Sequence, residues 1–217
     1  MRIDFIINMK GRKMRGKGVL YNYLMTNKKS FISIISVFFV GMILGIFMIN
    51  NTGESEILEI NSYINSICEN LKSAENINML ECLFNSLKQN ISFVLVMWFL
   101  GCTLIGNIFV YFGILYKGFS LGYTISAIIA TLGSKSGSLF VFAALLIQNI
   151  IFLPAIFVLA ESGIKLYIRI SQNLINVKQE LLRHTVIMLI VLILVVISSI
   201  LEVYLSTNLL IFLKKIV

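Results

Sequence analysis

The stretch Ala143-Ala144-Leu145-Leu146-Ile147-Gln148-Asn149-Ile150-Ile151-Phe152-Leu153-Pro154-Ala155 decides the fold. Two adjacent side-chain amides and the protein's one proline stand in the middle of an apolar run long enough to cross a bilayer. An amide in hydrocarbon is costly unless a partner takes its donors and acceptors. Pro154 has no N–H for the helix ladder and crowds the carbonyl of Ile150, four residues back. Neighbouring helices satisfy such groups in a membrane bundle. The stretch therefore predicts a packed, multi-helix membrane protein.

Bulk composition agrees. Mean hydropathy is +0.93, and only 13% of residues are charged, against roughly 25% in soluble domains. With 217 residues, the chain has room for one membrane domain. The net charge of +8 is concentrated, since eight of the eighteen Lys and Arg precede residue 30. A basic segment directly before an apolar run marks a cytoplasmic flank against anionic lipid. No nucleic-acid recognition motif accompanies it, which argues against nucleic acid as a partner.

Outward from the opening stretch, the pattern predicts an all-α polytopic protein of about five transmembrane helices with an external amphipathic helical loop. A basic cytoplasmic segment (1–30) precedes a first span at 31–49, where Gly41 and Gly45 form a small-x-x-x-small pair. Residues 50–90 hold six acids against two bases. Apolar residues there recur in helical steps of three and four, at Ile57, Ile60, Ile64, Ile67 and Leu71, then at Leu80, Leu83, Phe84, Leu87 and Ile91. Two amphipathic helices joined near 73–78 are expected. Their stripes either pack on each other or, with Glu54, Glu56 and Glu59, form a docking surface for an external partner.

A three-helix membrane core is placed at 91–160. Its second span runs from Ile91 to Tyr116 and carries a patch of small and polar residues, Gly101, Gly106 and Asn107. Lys117-Gly118 reads as a tight turn. The third span, 119–133, is short enough to be re-entrant instead. Gly118, Gly122, Ser126 and Ala130 give it a packing ladder at intervals of four. After a turn at 133–138, the fourth span covers about 139–160. The loop 161–184 is basic and expected to be cytoplasmic, a last span fills 185–205, and 206–217 is a tail ending outside. On this count the inner segments hold thirteen Lys and Arg and the outer ones five, the bias of a cytoplasmic N-terminus.

No motif for catalysis, metal or cofactor stands out, so no enzyme is expected. His184 is placed at a membrane junction among bases, as a solvated residue. No charged residue is expected near mid-membrane. Cys68 and Cys82 share one loop and would be free to bond only in an oxidising space. The Gln148–Asn149 pair is read as an interhelical clamp, satisfied by a carbonyl freed near Pro154 or by Asn107. The competing reading is a permease-like subunit with that region lining a pathway and a separate ATPase driving it.

Met97-Trp98-Phe99-Leu100-Gly101, Ile105-Gly106, Lys117-Gly118-Phe119 with Gly122, Gln148-Asn149, Pro154-Ala155 and Val158-Leu159-Ala160 follow one another in an order that resembles the stage II sporulation protein M family. The likeness covers essentially the whole chain, although Asn107 stands where a proline is expected. It implies a multi-pass membrane protein of the mother-cell septal membrane, needed for engulfment in endospore-forming bacteria. It also implies partners, the stage II sporulation proteins D and P, which cut peptidoglycan, with this protein as a scaffold that localises them. The lipid bilayer is the other partner expected, and a homo-oligomer is left open.

Overall fold

The structure is a computed structural model that describes residues 28–73, 79–103, 106–142, 145, 147–171 and 177–206; the side chains of Ile67, Cys68, Leu71 and Gln148 lie outside what it describes. All described elements are helical: α1 (Lys28–Asn50), α2 (Glu54–Ser73), α3 (Met79–Gly101), α4 (Gly106–Leu132), α5 (Ser134–Val141), α6 (Ile147–Ser171) and α7 (Val177–Leu201), with a π-helical turn at Glu202–Ser206. Four of these segments are long and apolar enough to cross a membrane: Lys29–Asn50, Gly106–Leu132, Asn149–Ser171 and Val177–Tyr204. The protein is an all-α polytopic membrane protein.

Side-chain contacts fix the direction of each helix. Ser33 Oγ donates to the Tyr111 hydroxyl at 3.2 Å, and Gly45 meets α4 further along, at Phe119 and Tyr123. α1 and α4 therefore run parallel. α3 runs the other way: Met97 abuts Gly113, and Lys117 lies 5.6 Å from the Phe93 ring. α6 also opposes α4, with Lys117 at 4.6 Å over Phe152 and Val110 beside Gly163. α7 opposes α3 and α6, since Trp98 Nε1 donates to Thr185 Oγ1 at 3.4 Å and Ser162 meets His184. Five helices of alternating direction result: the four candidate spans and α3. Its first half carries Glu81, Asn85, Lys88, Gln89 and Asn90, which keeps it below the apolarity of the other four.

The core lies where these five meet: Ile34 and Phe38, Val94 and Met97, Val110 and Ile114, Phe152, Ile156 and Leu159, Met188, Val191 and Val195. Outside this core the helices bare large apolar residues such as Phe39, Ile43 and Phe47, Phe109 and Phe112, and Leu189, Ile190 and Ile193. In water such a surface would aggregate. Against lipid tails it is at equilibrium.

The closest packing is between α1 and α4. A Cβ at Gly41 or Gly45 would run into the carbonyls of Leu115 or Phe119, and one at Gly118 or Gly122 into those of Phe38 or Met42. The glycines of the first span and of the third interlock backbone to backbone, each helix supplying two. Ser126, one turn beyond, is only half-buried.

Several boundaries differ from those expected. Lys117-Gly118 is no turn but the middle of the 27-residue helix α4, so 119–133 is its second half and not a short span of its own. The reversal comes earlier, after Gly101: Cys102 N–H donates to Trp98 and Phe99, Thr103 to Leu100, and Gly106 to the Thr103 carbonyl. Gly101 and Gly106 thus stand on opposite sides of a turn. Gly106 is needed there because a Cβ would strike the Leu100 carbonyl. Gly118 is used for close approach, which needs a small residue as much as a turn does.

Of the turn expected at 133–138, only Gly133 leaves the helix, at φ 78°; Ser134–Val141 is helical, with Gly137 N–H donating to the Gly133 carbonyl at 2.8 Å. α6 does not stop at Ala160 but continues to Ser171, and α7 begins at Val177, so most of 161–184 is an antiparallel helical pair and not a loop. The basic segment 1–27, the joint at 74–78 and the tail 207–217 lie outside the described residues.

Candidate functional site: polar groups within the bundle

Two sets of polar and charged side chains sit among the five passes. The stripe on α7 that carries both reads Glu180, His184, Met188, Val191, Val195, Ser198 and Glu202, in steps of three and four; all of it is buried but the half-buried Glu202. It faces inward along its whole length.

At the end where α6 and α7 extend beyond the other helices, His184 is 1% exposed. It is not the solvated residue expected. Nδ1 lies 2.9 Å from Ser162 Oγ and Nε2 lies 3.4 Å from the Trp98 carbonyl. A carbonyl only accepts, so Nε2 carries the ring proton and the neutral ring's Nδ1 accepts from Ser162. Gly101 and Gly163 form the walls: a Cβ at Gly101 would come within 2.7 Å of Nε2. The imidazole thus ties α3, α6 and α7 together. Glu161, fully buried, pairs with Lys165 at 2.7 Å. Glu180 pairs with Arg169 and, at 3.4 Å, with Arg183. These are the charges that a loop would have left in water. Cys102, in the turn beside this set, has its thiol pushed above the usual range by burial.

The second set lies towards the opposite end. Ser86 donates to the Glu202 carboxylate, and Asn90 Nδ2 donates to Ser86 Oγ at 3.2 Å and to Ser199 Oγ at 3.1 Å. Asn90 is 2% exposed and Ser199 fully buried. Below them, Lys117 stacks on the faces of Phe152 and Phe93, an arrangement that stabilises an ammonium in poor solvent. Gly118, its neighbour, touches Phe38, near the centre of the first apolar run. Lys117 therefore stands close to mid-depth, where no charge was expected. α7 changes to a π-helical turn where it delivers Glu202, and such turns often mark functional positions.

The expected clamp is arranged differently. Asn149 is 7% exposed, but its Nδ2 donates within its own segment, to the Leu145 carbonyl at 2.7 Å. Pro154 lies on the exposed side of α6, which passes through it unbroken. Asn107 does not reach Asn149. It sits ten residues before Lys117 in the helix opposing α6, roughly 15 Å further down the bundle. Its Oδ1 is buried with no hydrogen-bond partner among the described residues.

The candidate docking residues divide by side. Glu54, Glu56 and Glu59 are exposed. Ile57, Ile60 and Asn61 face the bundle, where with Ile49, Asn50, Ala127 and Ala130 they line a cavity of about 240 Å³. Thr131 Oγ1 donates to Asn61 Oδ1 at 2.6 Å and fixes α2 on the end of α4. Ile64 is half-buried. The α2 stripe thus turns towards its own bundle, while Leu58 and Tyr63 are left exposed beside the acids.

Sequence reasoning missed Lys117, Glu202, Ser162 and His184. The signal for the α7 members was present as the period of its polar residues, which coincides with the period of its apolar core.

A family model, stage II sporulation protein M, matches residues 34–207. The chain belongs to the stage II sporulation protein M family. The match runs from within α1 through the π-helical turn, so α2 to α7 and both polar sets lie within it. No curated protein and no solved structure matches the chain. Membership makes this a sporulation-related membrane protein.

Proposed function

We propose that the protein is a non-enzymatic membrane scaffold of the engulfment machinery, which holds peptidoglycan hydrolases at the septal membrane. By family resemblance these are the stage II sporulation proteins D and P. The observation that carries the reading is α2. One side is seated on α1 and α4, and the other presents Glu54, Glu56, Glu59, Leu58 and Tyr63 outward. A mixed acidic and apolar helix held rigidly at the end of a bundle suits protein contact.

The orientation follows from charge. Lys28 and Lys29 open α1, after six further Lys and Arg in the preceding sequence, and Lys165, Arg169, Lys178 and Arg183 lie at the end of the bundle where α1 begins. The other end and the tail carry Lys72, Lys135, Lys214 and Lys215. The positive-inside rule then puts the N-terminus in the cytoplasm and α2 on the outer side, facing the wall. The transport reading finds less support. Asn149 bonds the Leu145 carbonyl just before α6 and Asn107 stands at another depth, so the two do not line one path.

The test is co-purification from sporulating cells, with residues 54–73 either native or replaced by a neutral linker. Exchange of the whole of 50–90 would remove half of α3 and is unsuitable. Loss of the hydrolases, with the variant still inserted in the membrane, is the result expected. Hydrolases absent from the native protein as well would overturn the scaffold reading.

A further inference from the structure

The cavity between α2 and the α1–α4 pair is apolar on three sides: Ile49 of α1, Ile57 and Ile60 of α2, and Ala127 and Ala130 of α4. Its volume of about 240 Å³ is the liquid volume of about eight waters at ~30 Å³ each. That is room for one or two large side chains and not for a helix. Acids stand at its rim. At 3.6 residues per turn, Glu54 and Glu56 lie roughly 70–90° to either side of the Ile57–Ile60 line on α2, and both are exposed.

α4 and α7 both run towards this end, so the chain that follows Ser206 leaves the bundle where the cavity opens. It reads Thr207-Asn208-Leu209-Leu210-Ile211-Phe212-Leu213-Lys214-Lys215-Ile216-Val217, an apolar run and then two lysines. α3 and α6 separate α7 from the α1–α4 pair, which sets the cavity two helix spacings away, about 20 Å. An extended chain covers about 3.4 Å per residue. Phe212, six residues past Ser206, therefore reaches the cavity, and Lys214 and Lys215 reach its acidic rim.

We infer that this segment of the same chain is what docks there: side chains around Phe212 fill the cavity, and Lys214 and Lys215 pair with Glu54 and Glu56. An apolar run alone would fit any hydrophobic cleft. The order, apolar and then basic, matches a hollow with acids at its edge. A tether this short holds the segment at millimolar effective concentration, so contacts too weak for a free peptide suffice. Once docked, the lysines neutralise part of the acidic surface that α2 turns outward, and the tail competes with a partner for α2. That consequence rests on the scaffold reading, whereas the docking itself does not.

The full-length protein in bicelles, with Cys68, Cys82 and Cys102 replaced by Ser, receives Phe212→Cys together with either Ala130→Cys in the cavity or Leu58→Cys on the outward side of α2. A disulfide forms under mild oxidant only where the Cα atoms come within about 7 Å. The Ala130→Cys pair should close within one chain, and the Leu58→Cys pair should not. Glu54→Lys with Glu56→Lys should slow closure about twofold to fivefold, the worth of an exposed ion pair. Lys214→Glu with Lys215→Glu should restore the rate in that background. Leu58, Ala130, Glu54 and Glu56 are all exposed, so the fold carries these changes. Equal closure of both pairs, or none with Ala130→Cys, would overturn the inference. So would a disulfide-linked dimer, which would make a second copy's tail the occupant. Labelling of the cavity by a photoactivatable phospholipid acyl chain, with residues 207–217 present, would make lipid the occupant and overturn it too. Deletion of 207–217 should raise hydrolase co-purification. No rise, with the Ala130→Cys pair still closing, would sink the docking of a partner on α2 and leave the docked tail standing.

Discussion

Gly45→Ala and Gly118→Ala test the backbone contact on which the bundle turns. At Gly45 the added Cβ would overlap the Phe119 carbonyl oxygen even more closely than it meets the Tyr123 nitrogen, at 2.7 Å, so to restore an ordinary contact α1 and α4 must part by roughly 1 Å. A gap of that size forfeits a quarter to a half of each dispersion contact across it. Overpacking costs about 1–3 kcal/mol where side chains yield. Here the obstacle is backbone on both helices, which places each variant near the top of that range, about 3 kcal/mol. The double variant should cost clearly less than the sum, because the first methyl already opens the crossing for the second. Gly53→Ala is the control, having nothing within 4 Å of its Cβ. Gly113→Ala meets only the flexible end of Met97 and should cost little. Reversible unfolding by steric trapping in bicelles measures all of these. Gly45→Ala and Gly118→Ala variants as stable as Gly53→Ala, or strictly additive with each other, would refute the parallel α1–α4 packing.

Further outcomes are expected within the polar sets. Lys117→Met removes the ammonium that Phe93 and Phe152 hold and whose charge acts on the Glu202 carboxylate; it should destabilise the bundle by about 1–2 kcal/mol, and adding Glu202→Gln should restore most of the loss. An additive double variant would show the two groups to be uncoupled. His184→Ala leaves a cavity between Gly101 and Gly163 and frees the Ser162 hydroxyl, a loss of about 3 kcal/mol. Ser162→Ala should cost about 1 kcal/mol, read from thermal melting in detergent. Cys102 should react with maleimide more slowly than the exposed Cys82 in a Cys68→Ser background. Burial raises its thiol pKa, so less thiolate is present at neutral pH, and the rate should climb as pH rises towards that value. Equal rates at pH 7 would contradict the burial. Reversal of charge at Glu54, Glu56 and Glu59 should weaken hydrolase co-purification and leave insertion intact.

The passes themselves were legible because an apolar run of nearly twenty residues has few alternatives to a spanning helix. Where one pass ends and the next begins was not. Lys117-Gly118 and Gly101-to-Gly106 offer similar local signals, a glycine beside a polar residue within apolar sequence. Tertiary packing decides between them, since Gly118 has the α1 backbone to meet and Gly106 has a carbonyl of its own turn. The same ambiguity hid Lys117. Local pattern assigns a lysine to a membrane edge, and only the rings of Phe93 and Phe152, from two other helices, hold it at depth. Gln148 and Asn149 drew attention as the visible polar pair in a clean apolar run. The buried polar groups on α7 were less visible because Glu180 and His184 read as part of a basic loop.

Polarity in this bundle follows a division of labour among helices. α1 meets α4 through interlocked glycines and one side-chain hydrogen bond, from Ser33 to Tyr111. α3 has no such glycine ladder along its outer half. Its inward Ser86 and Asn90 bond α7, and its outward Lys88 and Gln89 are exposed towards the outer end of the bundle. The docking surface proposed for this bundle accordingly stays on the exposed acidic side of α2.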